Sequence, residues 1–177
     1  MSRQRLADDD IRLRKIRSFV RREGRFTPAQ RSAFDQLWPV YGINVTTTHW
    51  DFHELFGRQS EVYLELGFGD GRLLKLLSTS HPERDYFGVE VHRPGVGRVM
   101  RELHEQGISN VRVACEDGVD VLQQNIPLAS LSGILIFFPD PWHKKKHHKR
   151  RLIQPEFVHM AAQRLKPGGI LHLATDW

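Results

Sequence analysis

From residue 61 onward, short apolar runs alternate with segments of helical periodicity, and that rhythm leaves few architectures open. The runs fall at 62–66, 87–91, 111–115, 134–138 and 170–174. Between them, Leu73, Leu74, Leu76 and Leu77 fit a helix, Pro94 opens another that stops at Gly107, a short one covers 119–123, and Pro155 opens a fourth. Lys166-Pro167-Gly168-Gly169 is expected to break the last helix. Five strands alternating with helices predict a parallel α/β sheet, with right-handed crossovers placing helices on both faces. The run at 134–138 is almost wholly apolar, as a strand covered on both faces must be. Ligands of such sheets lie beyond the carboxyl ends of the strands. Those ends hold the unusual residues of this sequence: Gly67 to Gly71, Glu90, Asp117, Asp140 and Asp176.

Residues 1–60 read differently. Nine Lys/Arg against four Asp/Glu in residues 1–25 form a basic arm. Thr27-Pro28 then looks like a cap followed by proline at the first helical position, with a helix over 29–38. Asp51, with Glu54 three residues on, opens a short helix toward Phe56. The reading is therefore a basic arm with short helices at 1–60 and a parallel α/β domain at 61–177. The chain has 177 residues, enough for one compact domain with a core. No apolar run approaches the ~20 residues of a membrane span, and the opening residues lack the apolar stretch of a secretory signal. One cysteine, Cys115, forms no internal disulfide, which suits a reducing cytoplasm. His143 and His147 are spaced i, i+4, yet no further ligand pattern supports a metal.

The net charge of +5 hides an uneven distribution. Residues 143–151 hold six Lys/Arg and no acid, so together with the arm they leave the rest of the chain acidic. An acidic body with two basic segments points to a polyanionic partner met at defined places.

Glu65-Leu66-Gly67-Phe68-Gly69-Asp70-Gly71 follows the first strand and opens a helix. Glycines there let a backbone approach a ligand closely. The dinucleotide spacing is not met, because the third glycine comes one residue early. Glu90, at the end of the second strand, is placed to accept hydrogen bonds from ribose hydroxyls, and Asp117, past the third, could meet an adenine amino group. Glu65 would repel a pyrophosphate and attract a cation. That favours S-adenosylmethionine over a nicotinamide dinucleotide, and argues against a dehydrogenase. After the fourth strand, Pro139-Asp140-Pro141-Trp142 is a rigid turn ending in an aromatic that can stack on a base. The basic cluster follows at once, so the substrate reads as a nucleic acid gripped by its phosphates.

On these segments the chain resembles the bacterial tRNA (guanine-N7-)-methyltransferase family. They are LELGFGDG at 64–71, GVEVHRPGVG at 88–97, FFPDPWHKKKHHKRR at 137–151, LKPGGILHLATDW at 165–177, and the basic entry Arg14-Lys15-Ile16-Arg17-Ser18-Phe19-Val20. The resemblance implies a Rossmann-like fold and methyl transfer from S-adenosylmethionine to N7 of guanine 46 in the tRNA variable loop. It implies that Glu65, Gly67, Gly69, Glu90 and Asp117 hold the cofactor, that Asp140 is the acid of the catalytic site, and that Lys144 and Asp176 contact substrate. Two departures stand out. Asp70 occupies a position usually apolar in the family, and family members run on past the position of Trp177, so the last strands of the sheet are expected to be missing. The alternative reading is a truncated tRNA-binding fragment with little or no turnover.

Overall fold

The computed structural model describes residues 27–139 and 145–176. The basic arm, Asp140 and Lys144 lie outside them. Helix α1 (Pro28–Tyr41) starts at a reciprocal cap: the Thr27 hydroxyl accepts the Gln30 N–H at 3.2 Å, and the Gln30 side chain accepts the Thr27 N–H at 2.9 Å. It runs three residues beyond the expected end, through Pro39. A proline so near the terminus removes only one hydrogen bond, and Trp38 stacked on Phe34 at 4.7 Å holds the last turn together. In α2 (Phe52–Phe56) the Asp51 carboxylate caps the N–H groups of His53 and Glu54.

Strands β1 (Val62–Leu66), β2 (Asp85–Val89), β3 (Val111–Ala114), β4 (Leu131–Phe137) and β5 (Leu165–Ala174) form one parallel sheet in the order β3-β2-β1-β4-β5. The order reverses between β1 and β4, which is where a doubly wound sheet opens a crevice. Helices α3 (Arg72–Ser80), α4 (Arg93–Glu105), α5 (Gly118–Gln124) and α6 (Pro155–Arg164) make the crossovers. One face of the sheet packs on α1, α3 and α4 through Phe34, Leu74, Met100 and Leu103; the other packs on Trp50, α5 and α6 through Leu122, Phe157 and Ala161. Among the described residues no helix is long and apolar enough to cross a membrane.

Two strands differ from the sequence expectation for physical reasons. β2 begins two residues earlier, at Asp85, whose carboxylate is 1% exposed. Arg58 donates to it at 2.6 and 3.0 Å and Ser60 adds a hydroxyl, so a charge can stand where an apolar residue was expected. β5 begins at Leu165, because Lys166-Pro167-Gly168-Gly169 bulges the strand without ending it. Leu131 faces Leu165, but two residues on Gly133 faces Ile170. The proline is tolerated because β5 pairs only with β4 among the described residues, at the edge of the sheet.

Gly88, inside β2, ties the core to the glycine turn after β1. A Cβ there would stand 2.6 Å from the ring of Phe68 and 2.8 Å from Leu74. Phe68 belongs to that turn and is 4% exposed, so it plugs the turn into the space Gly88 leaves. Gly88→Ala should therefore lower stability by about 1–3 kcal/mol through overpacking. Urea unfolding measures it; an unchanged midpoint would mean that Phe68 repacks at no cost.

Candidate active site

The turn after β1 needs three left-handed residues in five. Gly67, Gly69 and Gly71 have φ of +76°, +54° and +69°, a conformation side-chain-bearing residues adopt only at a cost. Backbone bonds fix the turn: Gly67 donates to the Val89 carbonyl and Gly71 to that of Phe68, both at 2.8 Å. Glu90 completes it. One carboxylate oxygen accepts the Gly69 N–H at 3.0 Å, and the other accepts those of Val91 and His92 at 2.7 and 3.0 Å. An ionised carboxylate offers about four acceptor positions. Among the described residues three are in use, and the fourth remains beside Gly69 for a ligand hydroxyl. Glu90 is thus a clamp on the turn, a role its position in the sequence did not reveal.

Glu65 lies under the turn on β1, with Gly88 and Leu135 as strand neighbours. It is 6% exposed, and its Oε2 has no hydrogen-bond partner among the described residues. Burial, reinforced by the charges of Asp70 and Glu90, pushes its carboxyl up to about 7. Asp70, the acid unusual for its position, turns outward: it accepts the Arg72 N–H at 3.2 Å and pairs with the Arg72 guanidinium at 3.0 Å. Asp117, buried at the start of α5, accepts the Val119 N–H at 2.9 Å as a cap.

Gly67, Glu90 and Asp117 meet in one cavity of about 250 Å³ at the carboxyl edge of the sheet. Phe137, Phe138 and Pro139, which precede Asp140 in the sequence, line the same cavity. Gly69 opens instead onto a neighbouring cavity of about 510 Å³ that shares Glu90. Asp176 is exposed two residues past β5, on the same edge, and lines neither. Most of the basic cluster lies among the described residues. Lys145–Arg150 form a 3-10 helix, held by the Gln154 side chain, which donates to the His148 and Arg151 carbonyls.

Gly118, Val119 and Leu152 also line the first cavity and carried no chemical signal in the sequence. Phe138 carried none either. Expected as the last residue of the fourth strand, it falls just outside β4 with φ of +49°, 65% exposed.

The raised Glu65 pKa has a testable consequence. Its folded value lies above the ordinary carboxyl value of 4.5, so native protein holds the proton longer than unfolded protein as pH rises. Stability is then intact below about pH 4.5 and falls between about 4.5 and 7, by roughly 3 kcal/mol at 1.36 kcal/mol per pH unit. Glu65→Gln should abolish that slope and be the more stable form above neutrality. Denaturant unfolding of both proteins from pH 5 to 8 decides it; parallel curves would refute the raised value.

Residues 59–177 match a family model described as "Putative methyltransferase". The tRNA (guanine-N(7)-)-methyltransferase of Nitrosococcus oceani is 53% identical over 164 residues, covering 93% of this chain and 70% of its own. The protein of the same name from Hydrogenovibrio crunogenus is 51% identical, covering 93% and 68%, and that from Shewanella amazonensis 49%, covering 96% and 71%. The chain therefore spans about 70% of the length of these relatives. Among solved structures, the 16S rRNA methyltransferase KamB superposes with a TM-score of 0.54 at 18% identity, covering 76% of this chain and 62% of that one. A 30S ribosomal A1408 methyltransferase from an uncultured bacterium gives 0.52 at 18% identity, covering 76% and 64%. These likenesses establish the Rossmann-like methyltransferase fold, and the close relatives establish the family: the chain belongs to the bacterial tRNA (guanine-N7-)-methyltransferases.

Proposed function

We propose that this chain transfers the methyl group of S-adenosylmethionine to N7 of guanine 46 in the variable loop of tRNA, in the cytoplasm. The observation that carries the reading is the single cavity that Gly67, Glu90 and Asp117 share with Phe137 and Pro139. Its lining joins residues expected to hold a methyl donor with Phe137 and Pro139, which precede Asp140 in the sequence.

The residues fit such a donor. Glu65 offers a buried carboxylate oxygen without a partner among the described residues, suited to a cationic group and hostile to a pyrophosphate. Glu90 keeps one acceptor position for a ribose hydroxyl. When bound, the donor supplies an electrophilic methyl carbon on a sulfonium. N7 of guanine carries a free lone pair in the major groove, so no proton need leave it first. The chain's task is then to align N7 with the methyl carbon. As N7 bonds, positive charge develops on the purine, and the Asp140 carboxylate would stabilise it electrostatically without taking a proton. Lys144, Asp176 and the basic cluster would hold the RNA, the cations by its phosphates.

Three measurements test this. Incubation with unmodified tRNA and labelled S-adenosylmethionine should place the label as 7-methylguanosine at one position of the variable loop; label elsewhere, or none, overturns the reading. Asp140→Asn should slow single-turnover methyl transfer by about 100-fold while tRNA affinity changes little; the opposite pattern would make Asp140 a binding residue. Glu90→Ala should weaken the cofactor by at least about tenfold in calorimetry, since a charged hydrogen bond contributes about 1.5–3 kcal/mol. An unchanged affinity would leave Glu90 only its clamp.

A further inference from the structure

Phe138 is at odds with a purely structural role. At 65% it has the highest exposure of any large apolar side chain among the described residues. Its φ of +49° is left-handed, a region that penalises any residue with a Cβ. It also precedes Pro139, whose ring confines its neighbour to extended backbone. The conformation is imposed from outside: the Phe138 N–H donates to the Ala174 carbonyl at 2.9 Å, which fastens the end of β4 to β5. A glycine would satisfy the same bond without strain, and the exposed ring buries too little surface to repay its cost. Strain of this kind at a cavity wall points to a ligand. The cavity is the one lined by Gly67, Glu90 and Asp117.

We infer that the Phe138 ring is the platform on which the target purine stacks, and that it favours the methylated, cationic purine over the neutral one. The inference rests on the methyl-transfer reading above. In that reaction N7 gives its lone pair to the methyl carbon, the carbon–sulfur bond breaks with its electron pair staying on sulfur, and the purine takes up the positive charge. A benzene face attracts a cation more than a neutral ring, so stacking strengthens as the reaction advances. Trp142, the aromatic that ends the Pro139-Asp140-Pro141-Trp142 segment, lies outside the described residues. Among the described residues, the remaining exposed apolar side chains are aliphatic, and Trp50 is buried in the core.

The test uses the whole chain and two kinds of readout. In the first, 7-methylguanosine 5′-monophosphate is titrated in mildly acidic buffer, and the proton resonance of its N7-methyl group is followed. Stacking over a ring moves that resonance upfield, and guanosine 5′-monophosphate should bind several-fold more weakly. Phe138→Leu, apolar and of similar size, should abolish the upfield shift, and Phe138→Tyr should restore it. In the second, Phe138→Leu should slow single-turnover methyl transfer by roughly 10- to 100-fold, Phe138→Tyr should recover most of the rate, and S-adenosylmethionine affinity should stay within about twofold in both. Phe138→Gly should be no less stable than the parent protein. No upfield shift in the parent protein, a shift that survives in Phe138→Leu, or marked destabilisation by Phe138→Gly would each overturn the inference. A parent protein that stacks the nucleotide but methylates no tRNA would instead overturn the proposed reaction and leave the platform standing.

Discussion

The site depends on one carboxylate. Glu90 sits just past β2, yet one of its oxygens reaches the backbone of the turn after β1. Two strand ends are thereby locked to each other by a charged acceptor rather than by packing, and charge-assisted bonds of this kind are the stronger class. Phe68, pressed into the space over Gly88, holds the same turn from the other side. The two contacts explain how three left-handed glycines, each free to move in an unfolded chain, end in one conformation with Gly67 and Gly69 facing different cavities.

Charge is sorted by depth. The acids Glu65, Glu90 and Asp117 gather at the carboxyl edge of the sheet, and Glu65 is buried deeply enough to hold its proton near neutral pH. The Lys145–Arg150 helix comes after β4 in the chain. A polyanion held by that helix would be kept from the interior by the acids, while a cation would be drawn in. Such sorting suits a reaction that passes positive charge from a donor to a base. It also makes clear why Asp70 is tolerated: Arg72 takes its charge at the surface, and what is left acts on Glu65 in the same direction as Glu90 does.

Much of the fold was legible in the sequence, because parallel strands buried on both faces must be apolar runs, and the crossover rule leaves little choice in joining them. The strand-end acids and the glycine turn were legible for the same reason, since the fold collects strand ends on one edge. The features that stayed hidden depend on contacts distant in sequence. Asp85 inside β2 needs Arg58 from 27 residues away. The bulge in β5 needs the register of β4. Glu90 as a clamp needs the amide of Gly69. Phe138 reads as a strand residue until the bond to Ala174 is known. Local pattern reports which face a residue prefers, and these four cases are set by partners that pattern does not contain.

Two of the site's features work against folding. Keeping Glu65 buried costs roughly 3 kcal/mol above neutral pH, and a strained aromatic at Phe138 adds about 1–3 kcal/mol. Against a typical net stability of about 5–15 kcal/mol these are large. Both fall beside β1 and β4, the neighbours at the switch point, where Leu64, Ile134 and Ile136 are fully buried. That placement is mechanically sensible. A strained or desolvated group persists only where its surroundings over-determine it, and the centre of a sheet covered on both faces leaves its strands little room to relax. Had the same residues followed β5, which among the described residues pairs on one side only, relaxation would have been easier: a carboxylate there would reach water, and the aromatic would lose its aim. The crevice at the switch point is thus more than a convenient hollow. It is the place where the fold can hold a carboxylate away from water and an aromatic ring out in it, and both conditions favour a cation inside and a base at the mouth.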